Sequence, residues 1–264
     1  MKDYWYYECM NTSVLESYKT VVSEAWQTFK RNPLFILRVY IVVFVISSIF
    51  NFITTKISEY HEQIPISSLF EVIISIAGMY INTLVWIGLT LVLIHLVRKE
   101  RAEIKELFIH SKKVLKTIAV MFLLFLGTGI GLLLAIIPGV IFYLTFHFAV
   151  YRIIEREISI KQAFKESRDL VTGRRWYLLG VYFLIGLTCL VFVGIWTGIL
   201  FALFTFSVNM IILIIVSILA LCSMIVLIPF IHLVGMHIYD MFVQYKKTPM
   251  TNPQMVADSL PLAG

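Results

Sequence analysis

The sequence predicts an all-α fold: a polytopic membrane helical bundle with about six transmembrane helices and three cytoplasmic amphipathic helices. Composition is the first observation behind this. Hydrophobic residues make up 59% of the chain, charged residues 14%, and mean hydropathy is +0.88, against roughly 45–50% and about 25% in soluble domains. The second is where the charge falls. Of the 22 lysines and arginines, all but Lys56 lie in four blocks, at 2–38, 98–116, 152–175 and 246–247. The third is spacing. Successive blocks enclose enough apolar chain to cross a bilayer and return, and loops rich in Lys and Arg stay on the cytoplasmic side. Both termini are therefore expected in the cytoplasm.

Residues 1–33 read as a cytoplasmic amphipathic segment. Ser13 and Glu16 have capping-box spacing, and Val14, Tyr18, Val21, Ala25 and Phe29 recur at helical intervals. The segment lacks the short charged head and apolar run of a cleavable signal, so the first span is expected to direct its own insertion. Pro33 suits a first helical turn, where its missing N–H costs nothing.

The six-span domain covers 34–245, with spans at about 34–53, 69–97, 117–137, 140–154, 177–205 and 209–243. Residues 54–66 form an outer loop, 98–116 a second surface helix, and Pro138-Gly139 a tight outer turn. Gly127 to Gly131, with three glycines inside an apolar span, signals close helix packing and not a phosphate cradle, for it lacks a preceding strand and a P-loop lysine. Residues 155–175 repeat the surface helix, with Gly173 placed for a left-handed cap. The stretch 176–243 has no Lys or Arg. Two long spans breaking near 206–209 return the basic tail, 246–264, to the cytoplasm, whereas three spans of ~22 residues would export it. Three units of surface helix plus membrane hairpin thus begin near residues 14, 100 and 158.

Basic charge that flanks spans points to anionic lipid headgroups, with a membrane or cytoplasmic protein partner as a further option and no nucleic acid. Arg168, Arg174, Arg175 and Trp176 are the lipid or partner candidates, Trp176 as an aromatic anchor at headgroup level. The simplest reading of them is an interfacial helix end with ordinary positive-inside charge. Asn82 and His147 fall mid-span and are the intramembrane polar candidates. Interhelical hydrogen bonding is the expectation for both, and a substrate or proton path is the alternative. His95, His232, His237 and Asp240 are expected at the interface, with no charge pair at membrane depth. Cys9, Cys189 and Cys222 lack CxxC or metal spacing, and His232 and His237 are five apart, so no metal, cofactor or catalytic residue is expected.

Pro138-Gly139-Val140 is followed by Phe148, Tyr151, Glu155 and Glu157, and then by Ala163, Ser167, Leu170, Gly173 and Trp176. These match a Pro-Gly-Ile/Val turn and an A-x3-S-x2-L-x2-G-x2-W pattern, and the chain resembles a bacterial inner-membrane family of six-span proteins of undetermined activity. That family is similar to the membrane domain attached to some glycerophosphoryl diester phosphodiesterases. Trp26 with Lys30, Arg31, Asn32 and Pro33 is similar to its start, so the outline spans about 14–245, with the specific part at 138–176. The resemblance implies a cell (inner) membrane location with cytoplasmic termini and hands over no catalytic residues. The phosphodiesterase's own H-R-G start and paired acidic ligands are missing here, so that activity is not expected. The expected function is non-enzymatic: organising or interacting at the cytoplasmic membrane through basic amphipathic helices. The alternative is a small transporter or export component for an amphipathic or lipid-like substrate.

Overall fold

The computed structural model describes residues 13–60, 67–205 and 210–247. The ends of the chain, residues 61–66 of the expected outer loop and the expected break at 206–209 lie outside the described residues; residues 54–60, expected in that loop, instead continue the helix that begins at Pro33. Ten helices are described: α1 (Val14–Arg31), α2 (Pro33–Tyr60), α3 (Ser67–Arg98), α4 (Glu106–Ile109), α5 (Ser111–Leu134), α6 (Ile136–Phe146), α7 (Phe148–Glu155), α8 (Ile160–Val171), α9 (Arg175–Thr205) and α10 (Met210–Lys247). No strand occurs among the described residues. Six stretches are long and apolar enough to cross a membrane: Pro33–Lys56, Val72–Arg98, Ser111–Leu134, Ile136–Glu155, Arg175–Thr205 and Met210–Lys246.

Local signals place the helix ends where the sequence expects them in the first and third units. Ser13 accepts from the Glu16 N–H and Glu16 reaches back to the Ser13 N–H, closing the capping box. Pro33 opens α2. Ser159 caps α8 through the Gln162 N–H, and Gly173 follows the helix at φ +84°, a conformation only glycine adopts without strain. The second unit differs. Lys99 takes φ 61° and the Glu100 N–H bonds back to the His95 carbonyl, a Schellman ending without glycine. Of the surface helix expected over 98–116, only the four residues of α4 form a separate helix, residues 111–116 being the start of α5, and α4 seats on Gly88 so closely that a Cβ there would sit 2.2 Å from the Leu107 Cα.

The reversal between spans three and four is also displaced. It falls at Ala135, which is extended (φ −171°, ψ 157°), and Pro138 sits within the first turn of α6, where proline leaves no bond unmade. Gly139 serves a different end from a turn: it packs against α5 so closely that a Cβ on Gly131 would lie 2.7 Å from its Cα. Gly127 likewise lies under the Phe142 ring. The glycine-rich stretch is therefore a close-packing seam between α5 and α6, as its composition implies.

Burial is strongly one-sided. Ile36 and Val39 of α2, Val85 to Val97 of α3, Val114 and Val120 of α5, Phe148 to Ile154 of α7, Leu178 and Val181 of α9, and Leu233 to Val243 of α10 supply the core. All of these lie toward the end of the bundle that carries Arg98, Arg152 and Lys246, here called the basic end. Toward the opposite end the same helices present their side chains outward, including Phe52, Leu133, Phe204 and Ile211. Helix α10 has 38 residues, about 57 Å at 1.5 Å per residue, well beyond a hydrocarbon layer of ~30 Å. Its charged residues, Asp240, Lys246 and Lys247, all fall in the last quarter, so the packed core extends past the apolar zone at the basic end.

Helix α1 closes that core by running across it. Val21, Ala25 and Phe29 are buried, Thr28 Oγ1 and His237 Nε2 are 3.0 Å apart, and Tyr18 meets Thr188 at 2.7 Å. The apolar faces of α1 and α8, with Ala163, Leu170 and Val171 of α8 enclosed, are thus taken up by the protein itself.

Candidate functional site

At the basic end the C-terminal turns of α3, α7 and α10 converge, and their charged residues interlock. Arg98 donates from Nε to Asp240 Oδ1 and from Nη1 to Glu155 Oε1, each at 2.8 Å. Arg152 donates from Nη1 to Glu155 Oε2 at 3.2 Å, and from Nε and Nη2 to Glu166 Oε2 at 2.8 and 2.5 Å. The Tyr239 hydroxyl donates to Glu155 Oε2. Asp240 is 2% exposed and Arg152 7%, so these pairs are shielded from water. Removing one partner from such a cluster leaves an uncompensated buried charge, at a cost of about 3–5 kcal/mol.

Asp240 lies near the inner end of its helix, where the sequence expects it, but it is part of a buried charged cluster that the sequence reading did not anticipate. Its partners, Arg98 and Glu155, are 142 and 57 residues apart in sequence from Asp240 and Arg98 respectively, beyond the reach of any local pattern. A signal was present all the same. Asp240 is the one acidic residue in 176–243, and a lone carboxylate in so apolar a stretch needs a cation.

The four interfacial candidates separate. Arg168 and Trp176 are exposed. Arg174 is engaged: its guanidinium lies 4.2 Å from the Tyr245 ring centroid and Nη2 donates to the Tyr245 hydroxyl at 2.5 Å, tying the start of α9 to the end of α10. Arg175 is half-buried, with Nε lacking a partner. The two mid-span candidates are both interhelical. Asn82 Oδ1 accepts from the Ser47 hydroxyl at 2.7 Å, joining α3 to α2. His147 sits at the junction of α6 and α7. Its Nδ1 is 3.2 Å from the Leu144 carbonyl and must carry the proton, since that oxygen can only accept. Its Nε2, 2.8 Å from the Tyr182 hydroxyl of α9, is then the acceptor. His232 and His237 bond separately, to Tyr40 and Thr28.

His147 also lies between two adjoining cavities of about 370 and 550 Å³. Thr128, Tyr143, His147 and Tyr151 line both. The smaller continues between α3 and α5 beside Trp86 and Met121, the larger between α6, α9 and α10 beside Tyr182 and Gly235. Sequence reasoning found His147 but missed its companions, because Thr128, Tyr143 and Tyr182 belong to three different helices.

A bundle with six bilayer-length apolar helices, a buried ion-pair seam at one end and an aromatic cleft at mid-span is a multi-pass helical membrane protein. No protein-family profile, curated protein or solved structure matches the chain.

Proposed function

We propose that this chain is a non-enzymatic, multi-pass protein of the bacterial cell (inner) membrane that organises or interacts at the cytoplasmic face, where its basic end lies. The observation that carries this is the location of the packed core. The fold is dense where the cations are, and α8 spends its apolar face internally while leaving Lys161, Lys165 and Arg168 exposed. What α8 offers outward is charge, suited to anionic headgroups or to an acidic partner surface, with basic residues contributing roughly 1 kcal/mol each near such lipid.

Two measurements test it. A cysteine replacing Glu59 in a background without native cysteines should be labelled from outside, and one replacing Lys165 only after permeabilisation. Replacing Lys161, Lys165 and Arg168 together by Glu should lower the phosphatidylglycerol retained by the purified protein while its thermal midpoint in detergent holds. Reversed labelling, or unchanged lipid retention, would overturn the reading.

A second reading, a small transporter or export component for an amphipathic or lipid-like substrate, is favoured by the mid-span cleft.

A further inference from the structure

We propose that the cleft around His147 is a binding site for a neutral lipid whose head carries hydrogen-bond-accepting carbonyl oxygens, as a quinone or an acylglycerol does. This deepens the second reading and is independent of the first, because occupancy of the cleft does not involve the exposed cations of α8.

Volume and wall chemistry set the class. Cavities of about 370 and 550 Å³ fall in the range of ~300–1,000 Å³ typical of small-molecule sites, which are apolar with a few placed polar groups. No Lys, Arg, Asp or Glu lines either cavity. A phosphate or ammonium head seated there would be left without a counter-charge, a strongly unfavourable state away from water. The body of the ligand is therefore apolar and its head uncharged.

The hydroxyls set the head. Apart from Thr117, which is buried without a partner and lines neither cavity, Thr83, Thr90, Thr145 and Thr188 satisfy themselves by donating to the carbonyl four residues back, those of Met79, Trp86, Ile141 and Leu184. Thr128 does not. Its Oγ1 is buried and has no partner, and it lines both cavities. The Tyr143 and Tyr151 hydroxyls also find no hydrogen-bond partner among the described residues, while Tyr182 is committed to His147. Buried polar groups are rarely left unpaired. The buried Thr128 hydroxyl, together with the Tyr143 and Tyr151 hydroxyls on less enclosed side chains, Tyr143 being 46% exposed, stands at the junction of two apolar cavities and fits a ligand that supplies acceptors. Tyr143 also stacks on His147, with ring centroids 5.4 Å apart and planes 24° apart, which fixes one wall of the junction.

The test uses the full chain in detergent and in nanodiscs, with a decyl-substituted benzoquinone, dioctanoylglycerol and dioctanoyl phosphatidylglycerol as probes. Thermal stabilisation and quenching of Trp86 fluorescence, assigned with Trp86→Phe, are the readouts. At least one neutral carbonyl-headed probe should bind saturably, and which one does separates quinone from glyceride. The phosphatidylglycerol, which the first reading assigns to the exposed cations of α8, should neither quench Trp86 nor displace the neutral probe from the cleft. Thr128→Val, Tyr143→Phe and Tyr151→Phe should each weaken binding about three- to tenfold, the effect of one net hydrogen bond. Thr128→Val should leave the ligand-free thermal midpoint unchanged or raised, since its hydroxyl has no bond to lose. Gly235→Leu fills the larger cavity, and nothing lies within 4 Å of a Cβ built there, so it should abolish binding in a folded protein. Should that variant fail to fold, Thr128→Val still decides. Equal affinity in all variants, or saturable displacement by phosphatidylglycerol, would assign the cleft to ordinary bilayer lipid and overturn the proposal while leaving the basic-face reading standing.

Discussion

Within α10, Ile238 and Phe242 are 0% exposed, while Ile211 and Leu221, on the same helix and no less apolar, are 64% and 65% exposed. The same contrast divides α9, where Leu178 and Val181 are enclosed and Phe201 and Phe204 are not. Hydrophobicity does not decide which part of a span the protein buries, because lipid accepts an apolar side chain as readily as a protein core does. Packing is decided instead by groups that lipid cannot satisfy. The basic end is where Arg98, Arg152, Glu155 and Asp240 must find one another, and the helices are drawn together around them.

The largest expected effect follows from that seam. Asp240→Ala should destabilise the protein by about 3–5 kcal/mol, because it leaves the Arg98 guanidinium with Glu155 alone and opens a void in the core. Unfolding by denaturing detergent in mixed micelles measures it. The double variant Arg98→Met with Asp240→Leu should recover much of the loss, since a buried ion pair often contributes no more than well-packed apolar groups of similar size. A single variant as stable as the wild type would mean that apolar packing alone joins the helices.

A smaller effect is expected at Asn82, on the boundary between the two regions. Asn82→Leu removes one hydrogen bond from Ser47 and should cost roughly 0.6–2 kcal/mol in the same assay. Any cellular activity should survive, as befits a group that joins helices. Loss of activity in a protein that still inserts and folds would make Asn82 part of a path.

Much of the fold was legible in the sequence because membrane spans are written in local composition. Four basic blocks and the apolar runs between them are enough to specify six crossings, and Ser13, Pro33, Ser159 and Gly173 mark helix ends through chemistry confined to a single turn. Where the reading failed, the structure shows a contact between helices that no single turn of sequence reports. Ala135 replaces Pro138-Gly139 as the reversal, with Gly139 packed against Gly131, and the second surface helix is short, with Leu107 seated on Gly88. The site was legible only one residue at a time. His147 stands out as a mid-span histidine, but Thr128 looks like any other span threonine until its unpaired hydroxyl is seen at the wall of a cavity, and Asp240 is visible without its partners.

The smallest effect tests the other half of the contrast. Leu221→Ala removes the branched end of the side chain, one methine and two methyl groups, from α10, which in an enclosed core would cost about 2–5 kcal/mol. At 65% exposure, and with lipid around the apolar half of the bundle, those groups leave one apolar surrounding for another. The change in unfolding free energy should then stay within about 0.5 kcal/mol, as for substitutions away from packed features. A loss comparable to that of a core residue would mean that Leu221 is covered by protein in the membrane, by a second copy of this chain or by another partner. The opposite half of α10 would then be an interface, and the difference between the two ends would lie in which protein covers each.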